Sequence, residues 1–115
     1  MPRPNVVKTA DFLLIHGNGV HHPDSLRKLI RNTRSVEGYL EMPVMINEDD
    51  HYDFDQADYN LKVAVEEHVF WGYFDFRRNE DPFEAGFQSV PVHWGINHER
   101  KEGFFDKIKE ITGWQ

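Results

Sequence analysis

Three short apolar runs recur along the chain, each followed by a segment with helical spacing, and this pattern limits the possible folds more than any other feature. The runs cover residues 12–15, 43–46 and 70–76. The first helical segment begins near residue 23, and the other two cover about residues 58–68 and 98–112. Because strands that alternate with helices favour parallel pairing through right-handed crossovers, the predicted fold class is α/β, with three βα units.

Local signals predict where these elements begin and end. Pro23 is tolerated in a first helical turn, Asp58 and Asn97 are candidate helix caps, and Gly113 is a candidate helix stop. The continuous apolar run at residues 12–15 predicts a strand buried on both faces. Five phenylalanines are expected in the core: Phe70, Phe74, Phe76, Phe104 and Phe105.

A chain of 115 residues fits one α/β domain, spanning residues 1–115. Three parallel strands form a narrow sheet with two open edges, so we expect a homo-oligomer in which self-association completes the sheet. No stretch approaches the roughly 20 apolar residues of a membrane span, and residues 1–10 lack a signal-peptide apolar segment. A cytoplasmic protein without a membrane partner is the expectation.

The charge balance argues against a polyanion as partner. Thirteen basic and 20 acidic residues give a formal net charge of −7, which disfavours binding to nucleic acid or to anionic lipid. With no cysteine, the chain has no disulfide, thiolate metal site or cysteine nucleophile. Six acids carry most of the imbalance: Glu48, Asp49, Asp50, Asp53, Asp55 and Asp58.

No cofactor is predicted, although a divalent cation could bind the acidic segment from Glu48 to Asp55. The EF-hand template fails there, because Phe54 stands where glycine is needed and Asn60 where glutamate is needed. The histidines match no zinc-protease helix pattern, and no metal site is predicted from them.

Polar side chains follow each predicted strand, where parallel α/β proteins bind their ligands. Glu48 lies two residues beyond Ile46, the end of the second predicted strand, and a carboxylate there can act as nucleophile, base or metal ligand; the alternative is a solvated loop acid. Trp71 and Trp94 could stack on a flat ligand such as a sugar ring, or belong to the core. The predicted ligand-binding residues are His16, Asn18, Asn47, Asp50, His51, Trp71, Arg77 and Trp94.

The segment 43–48 resembles the seventh strand of clan A retaining glycoside hydrolases, such as the family 5 enzymes. Runs at residues 16–19, 47–51, 71–77 and 90–96 are similar to the C-terminal part of uncharacterised bacterial (β/α)8-barrel proteins of this type. The resemblance implies a partial TIM barrel, with Glu48 as nucleophile and Trp71 or Tyr73 as an aromatic platform. The acid would come from a partner copy, where Asp75 or a second Glu48 could lie opposite.

Three functions are therefore open. The first is a homo-oligomeric α/β module with a polar small-ligand site, of carbohydrate type, at the carboxyl ends of its strands. The second is a glycoside hydrolase-like enzyme, with Glu48 and Asp75 as catalytic candidates. The third is a structural domain that binds a partner protein through its sheet edge.

Overall fold

The structure is a computed structural model that describes residues 1–51, 53–75, 78–82 and 95–114. The chain divides into two compact units: unit 1 comprises Met1–His51 and Asp58–Tyr73, and unit 2 comprises Tyr52–Ala57 and Phe74–Gln115. In the described part of the chain, no helix is both long enough and apolar enough to cross a bilayer.

Unit 1 contains three parallel strands that alternate with helices, which confirms the predicted α/β class. The three strands form one sheet, in which they lie side by side in the order of the chain. The elements of unit 1 are α1 (Pro4–Val7), β1 (Leu13–His16), α2 (Pro23–Arg34), β2 (Val44–Asp49), α3 (Asn60–Glu66) and β3 (Phe70–Tyr73). The sequence pattern located all of these except α1, a single turn that begins at a proline.

Within unit 1, one face of the sheet forms the core with the helices, and the other, called the open face, carries exposed side chains. Leu13 and Ile15 of β1 are buried, in one cluster with Leu26 and Ile30 of α2. Leu14, between them, is 50% exposed. The prediction of a strand buried on both faces is therefore wrong, because β1 alternates between buried residues that pack on the unit 1 helices and exposed ones.

The open face carries an apolar row that crosses all three strands. Leu14 pairs with Met45, and Met45 pairs with Phe70, which is 66% exposed. Leu14, Met45 and Phe70 together form this open-face row. The prediction of Phe70 as a core residue is wrong, and Phe105 is also exposed.

A bulge in β2 decides which acid faces which side. Ile46 pairs with the residue before His16, whereas His16 itself pairs with Glu48, so Asn47 is an extra residue. Strict alternation from Ile46 would place position 48 on the helix-covered face. The extra residue instead pairs Glu48 with His16, on the open face, and places Asp49 in the buried layer.

Arg27 connects α2 to α3 through ion pairs. Its guanidinium donates to both oxygens of Asp58 at 2.7 and 2.9 Å, and to Glu66 at 2.8 Å. These hydrogen bonds raise the pKa of Arg27, and the bond from Arg27 lowers the pKa of Asp58. Asp58 is therefore an ion-pair partner of α2 and not the cap of α3, whose N-cap position is Tyr59.

Unit 2 contains α4 (Glu99–Thr112). His98 caps this helix by accepting from the backbone N–H of Arg100, whereas the predicted cap, Asn97, accepts from Lys101 at 2.6 Å. Gly113 ends the helix in the left-handed conformation, with φ of 66°, as predicted.

Candidate functional site at the carboxyl edge of the sheet

Asp49, the last residue of β2, is a fully buried carboxylate. It accepts hydrogen bonds from Asn60 Nδ2 at 3.0 Å, Trp71 Nε1 at 2.9 Å and the backbone N–H of His51 at 3.0 Å. A buried charge is tolerated only where such donors replace water. Because the donors come from α3, β3 and the loop after β2, Asp49 joins three parts of unit 1.

Gly17 allows the backbone after β1 to approach this carboxylate. A Cβ atom at position 17 would lie 2.7 Å from Ile46 Cγ2 and 2.9 Å from Asp49 Oδ2, which is too close for either contact. The backbone N–H groups of Gly17 and Asn18 both donate to the Glu48 carbonyl, at 2.9 and 2.7 Å. The glycine is therefore needed for close approach at the bulge.

Asp49 also orients the imidazole of His51. His51 Nδ1 lies 2.6 Å from Asp49 Oδ1. Because an ionised carboxylate can only accept, we assign the proton to Nδ1, which leaves the lone pair of a neutral ring on Nε2. That Nε2 lies 3.1 Å from Nδ1 of His21, an exposed residue of the loop before α2.

Glu48 and His16 form a second pair of titratable groups at the same edge. His16 Nδ1 lies 3.4 Å from Glu48 Oε2, and both side chains are substantially exposed. His16 follows Leu14 in the alternation of β1, so this pair lies at the end of the open face. The bulge thus produces an accessible carboxylate beside a buried one.

Trp71 has contacts that assign it a supporting position. Its indole packs against the core cluster, stacks on Tyr73 at a centroid distance of 5.8 Å and donates to Asp49. Asn18 is exposed beside the bulge, and Asn47 is half-buried in β2. The structure therefore brings His16, Asn18, Asn47 and His51 to one edge of the sheet. Trp71 supports that edge from the side of the core.

Asp75 belongs to unit 2, where it is buried. Its Oδ1 accepts from Arg100 Nε at 3.1 Å, and Arg100 also donates to both oxygens of Asp81. Burial opposes the charge on Arg100, but these acids raise its pKa. The Arg100 hydrogen bonds lower the pKa of Asp81 to about 2. The predicted site residues Arg77 and Trp94 lie outside the described residues.

The predicted ligand-binding residues did not include Asn60 or His21, and the sequence did not indicate that Asp49 lies at the centre of the contacts. Asp49 stood out in the sequence only as one of six acids, and the cation prediction included it for that reason. Asp49, Asp50 and His51 do place one potential ligand atom each within 4.8 Å of the others. The Asp-x-His spacing of residues 49 and 51 is the signal that could have indicated the pair.

Fold and site together define an α/β protein with a parallel sheet and with paired carboxylates and imidazoles at its carboxyl edge. The chain matches no protein-family model, no curated protein and no solved structure in the three comparisons.

Proposed function

We propose that unit 1 binds a small polar ligand, of carbohydrate type, at the carboxyl edge of its sheet. The observation that carries this proposal is the exposed Glu48–His16 pair, held beside a buried carboxylate by the bulge in β2. Asp49 fixes the strand end from behind through bonds to Asn60 and Trp71. Binding groups on a fixed backbone lose little entropy when a ligand arrives.

The chemistry of this edge matches that of a sugar. The Glu48 carboxylate accepts hydrogen bonds from hydroxyl groups, and the His16 imidazole can donate or accept them. The adjacent open-face row offers apolar contact for the C–H face of a ring. This combination of a few polar groups beside an apolar surface is typical of small-ligand sites.

The hydrolase interpretation of the sequence requires a second carboxyl about 5–5.5 Å from Glu48. Asp75, the acid predicted to come from a partner copy, is buried within its own chain, and its Oδ1 accepts a hydrogen bond from Arg100, so it is not presented to the Glu48 of another copy. Ligand binding without catalysis is therefore the function we favour for this chain.

Titration of the labelled protein with free mono- and disaccharides, followed by amide NMR, tests the proposal. We expect at least one sugar to shift the amide signals of His16 and Glu48, and Glu48→Gln to weaken that sugar at least tenfold. Asp11→Asn is the matched control, since Asp11 is an exposed acid near the amino-terminal end of β1. The proposal fails if no sugar shifts these signals, or if Glu48→Gln binds like the parent protein.

A second candidate function is self-association, which the open-face row favours. Sheets of parallel strands are ordinarily covered on both faces, and among the described residues of unit 1 the helices pack on one face while Leu14 and Phe70 are exposed on the other. We propose a second copy of the chain as the cover. His16 follows Leu14 on the same face of β1, so a second copy on the row would lie next to the Glu48–His16 pair.

A further inference from the structure

Two imidazole nitrogens face each other at the carboxyl edge of the sheet, and the ligand proposal does not use them. His51 Nε2 and His21 Nδ1 lie 3.1 Å apart. We propose that this pair binds a divalent transition-metal ion of the zinc class. This inference is independent of the sugar site, which rests on Glu48 and His16.

The distance between the nitrogens fits two ligands of one ion. With metal–nitrogen bonds of about 2.0–2.1 Å, adjacent nitrogens are about 3.3 Å apart in a tetrahedral site and about 2.9 Å apart at right angles, and the observed distance lies between these values. The rings are nearly perpendicular, with an interplanar angle of 74°. They therefore approach edge-on and do not stack. In the metal-free protein one proton between the two nitrogens would form a hydrogen bond at this distance, and a metal ion would replace it.

The position of Asp49 is a second and independent reason to propose a metal site at His51. A histidine that binds a metal usually donates its other N–H to a carboxylate, which fixes the tautomer and raises the basicity of the binding nitrogen. His51 has this arrangement, with Nδ1 2.6 Å from the fully buried Asp49. Asn60 and Trp71 hold Asp49 in turn, so Nε2 of His51 is aimed before any ion arrives.

The surroundings suit a cation with water as a further ligand. Asp50 Oδ1 lies 3.3 Å from His51 Nδ1, which adds negative charge close to the pair. Among the described residues, no third histidine, aspartate or glutamate completes a group with both imidazoles. His21 is exposed, so we assign the remaining coordination positions to water.

Calorimetric titration with Zn²⁺, together with the visible absorption of bound Co²⁺, tests this site. The parent protein should bind one ion, and His21→Gln and His51→Gln should each weaken binding at least tenfold. Asp49→Asn should weaken it roughly 10–100-fold while both ligands remain, as loss of a supporting carboxylate does elsewhere. His68→Asn is the matched control, because His68 is exposed, precedes the opposite end of β3 and has a positive φ that asparagine tolerates.

The chain has seven histidines and 20 acids, so nonspecific metal binding must be distinguished. Binding that is equally strong in His21→Gln, His51→Gln and the parent would overturn the proposal. Equal losses in His68→Asn would do the same. If Asp49→Asn does not fold, the two histidine variants still decide, since circular dichroism can confirm their fold independently.

Discussion

Asp49 is the residue on which the candidate site depends most, and its removal should cost stability as well as function. In Asp49→Ala, the indole N–H of Trp71 and the amide of Asn60 lose their acceptor in a buried region. Donors left unsatisfied in this way cost about 2–4 kcal/mol of unfolding free energy. Urea denaturation followed by tryptophan fluorescence measures the change.

Glu48→Gln is the control for this prediction. Glu48 precedes Asp49 in the same strand, but its side chain is substantially exposed. We expect its substitution to change the unfolding free energy by less than about 0.5 kcal/mol. Equal effects of Asp49→Ala and Glu48→Gln would contradict the assignment of Asp49 as the structural centre of the edge.

Gly17→Ala should destabilise unit 1 although it adds only a methyl group. The new Cβ would meet Ile46 Cγ2 and Asp49 Oδ2 at under 3 Å, so the strand end or the carboxylate must shift. Overpacking of this kind costs about 1–3 kcal/mol. Thermal or urea unfolding measures the loss, and Asn18→Ala, at the exposed neighbouring position, should leave stability nearly unchanged.

The site was only partly predictable at this scale. The sequence located the polar residues at the carboxyl ends of the strands, because that inference needs only the order of the elements. The burial of Asp49 and the exposure of Glu48 were not predictable, since they depend on the extra residue in β2. This bulge shifts the alternation by one residue, but Asn47, Glu48 and Asp49 are all polar, so the shift leaves no mark in the hydrophobic pattern.

Among the elements, the beginning of α4 should carry a pH dependence of stability. Hydrogen bonds from Arg100, and one from the backbone N–H of Arg78, lower the pKa of Asp81 to about 2 from the ordinary value of 3.8. The unfolded state therefore binds this proton more readily than the folded state does. The stabilisation is complete above about pH 4 and is lost as the pH falls toward 2.

Urea unfolding followed by far-UV circular dichroism of the protein, repeated across this pH range, checks the prediction. The parent protein should lose stability between about pH 4 and 2, and Asp81→Asn should remove that part of the pH profile while lowering stability at neutral pH. Asp106→Asn is the control, because Asp106 is an exposed acid of the same helix. A parent and an Asp81→Asn profile of the same shape would contradict the assignment.

Element types followed from the sequence more readily than their ends. Apolar spacing located β1, α2, β2, α3, β3 and α4, because burial of one face requires that spacing. Caps were less predictable: Asp58 is drawn to Arg27 of another helix, and His98 takes the position expected for Asn97. Propensity describes local bonds, whereas these two outcomes depend on partners distant in sequence or on a side chain that can cap equally well.

For the molecule as a whole, the pattern predicted the α/β class but overestimated burial. A short apolar run such as residues 12–15 is compatible with a strand covered on one face or on both, because the sequence of a strand does not specify which elements pack against it. The structure shows Leu14 and Phe70 exposed on the face without helices. These exposed apolar residues form the surface through which we propose self-association.

Self-association through the open-face row should be sensitive to one charge placed on it. Phe70→Glu would put a carboxylate on a surface that the second copy must dehydrate, and an unpaired buried charge is strongly unfavourable. We expect the parent chain to have the mass of a dimer or larger oligomer at tens of micromolar, and Phe70→Glu to have the mass of a monomer. Light scattering coupled to size-exclusion chromatography measures both.

Val65→Glu separates this surface from apolar exposure in general. Val65 is an exposed apolar residue of α3, on the helical layer and not on the open face, so its substitution should leave the oligomer intact. A monomeric parent, or an oligomer that Val65→Glu and Phe70→Glu disrupt equally, would exclude the open-face row as the interface. Loss of the oligomer in Phe70→Glu alone would place the second copy on the row, where its groups can reach the Glu48–His16 pair.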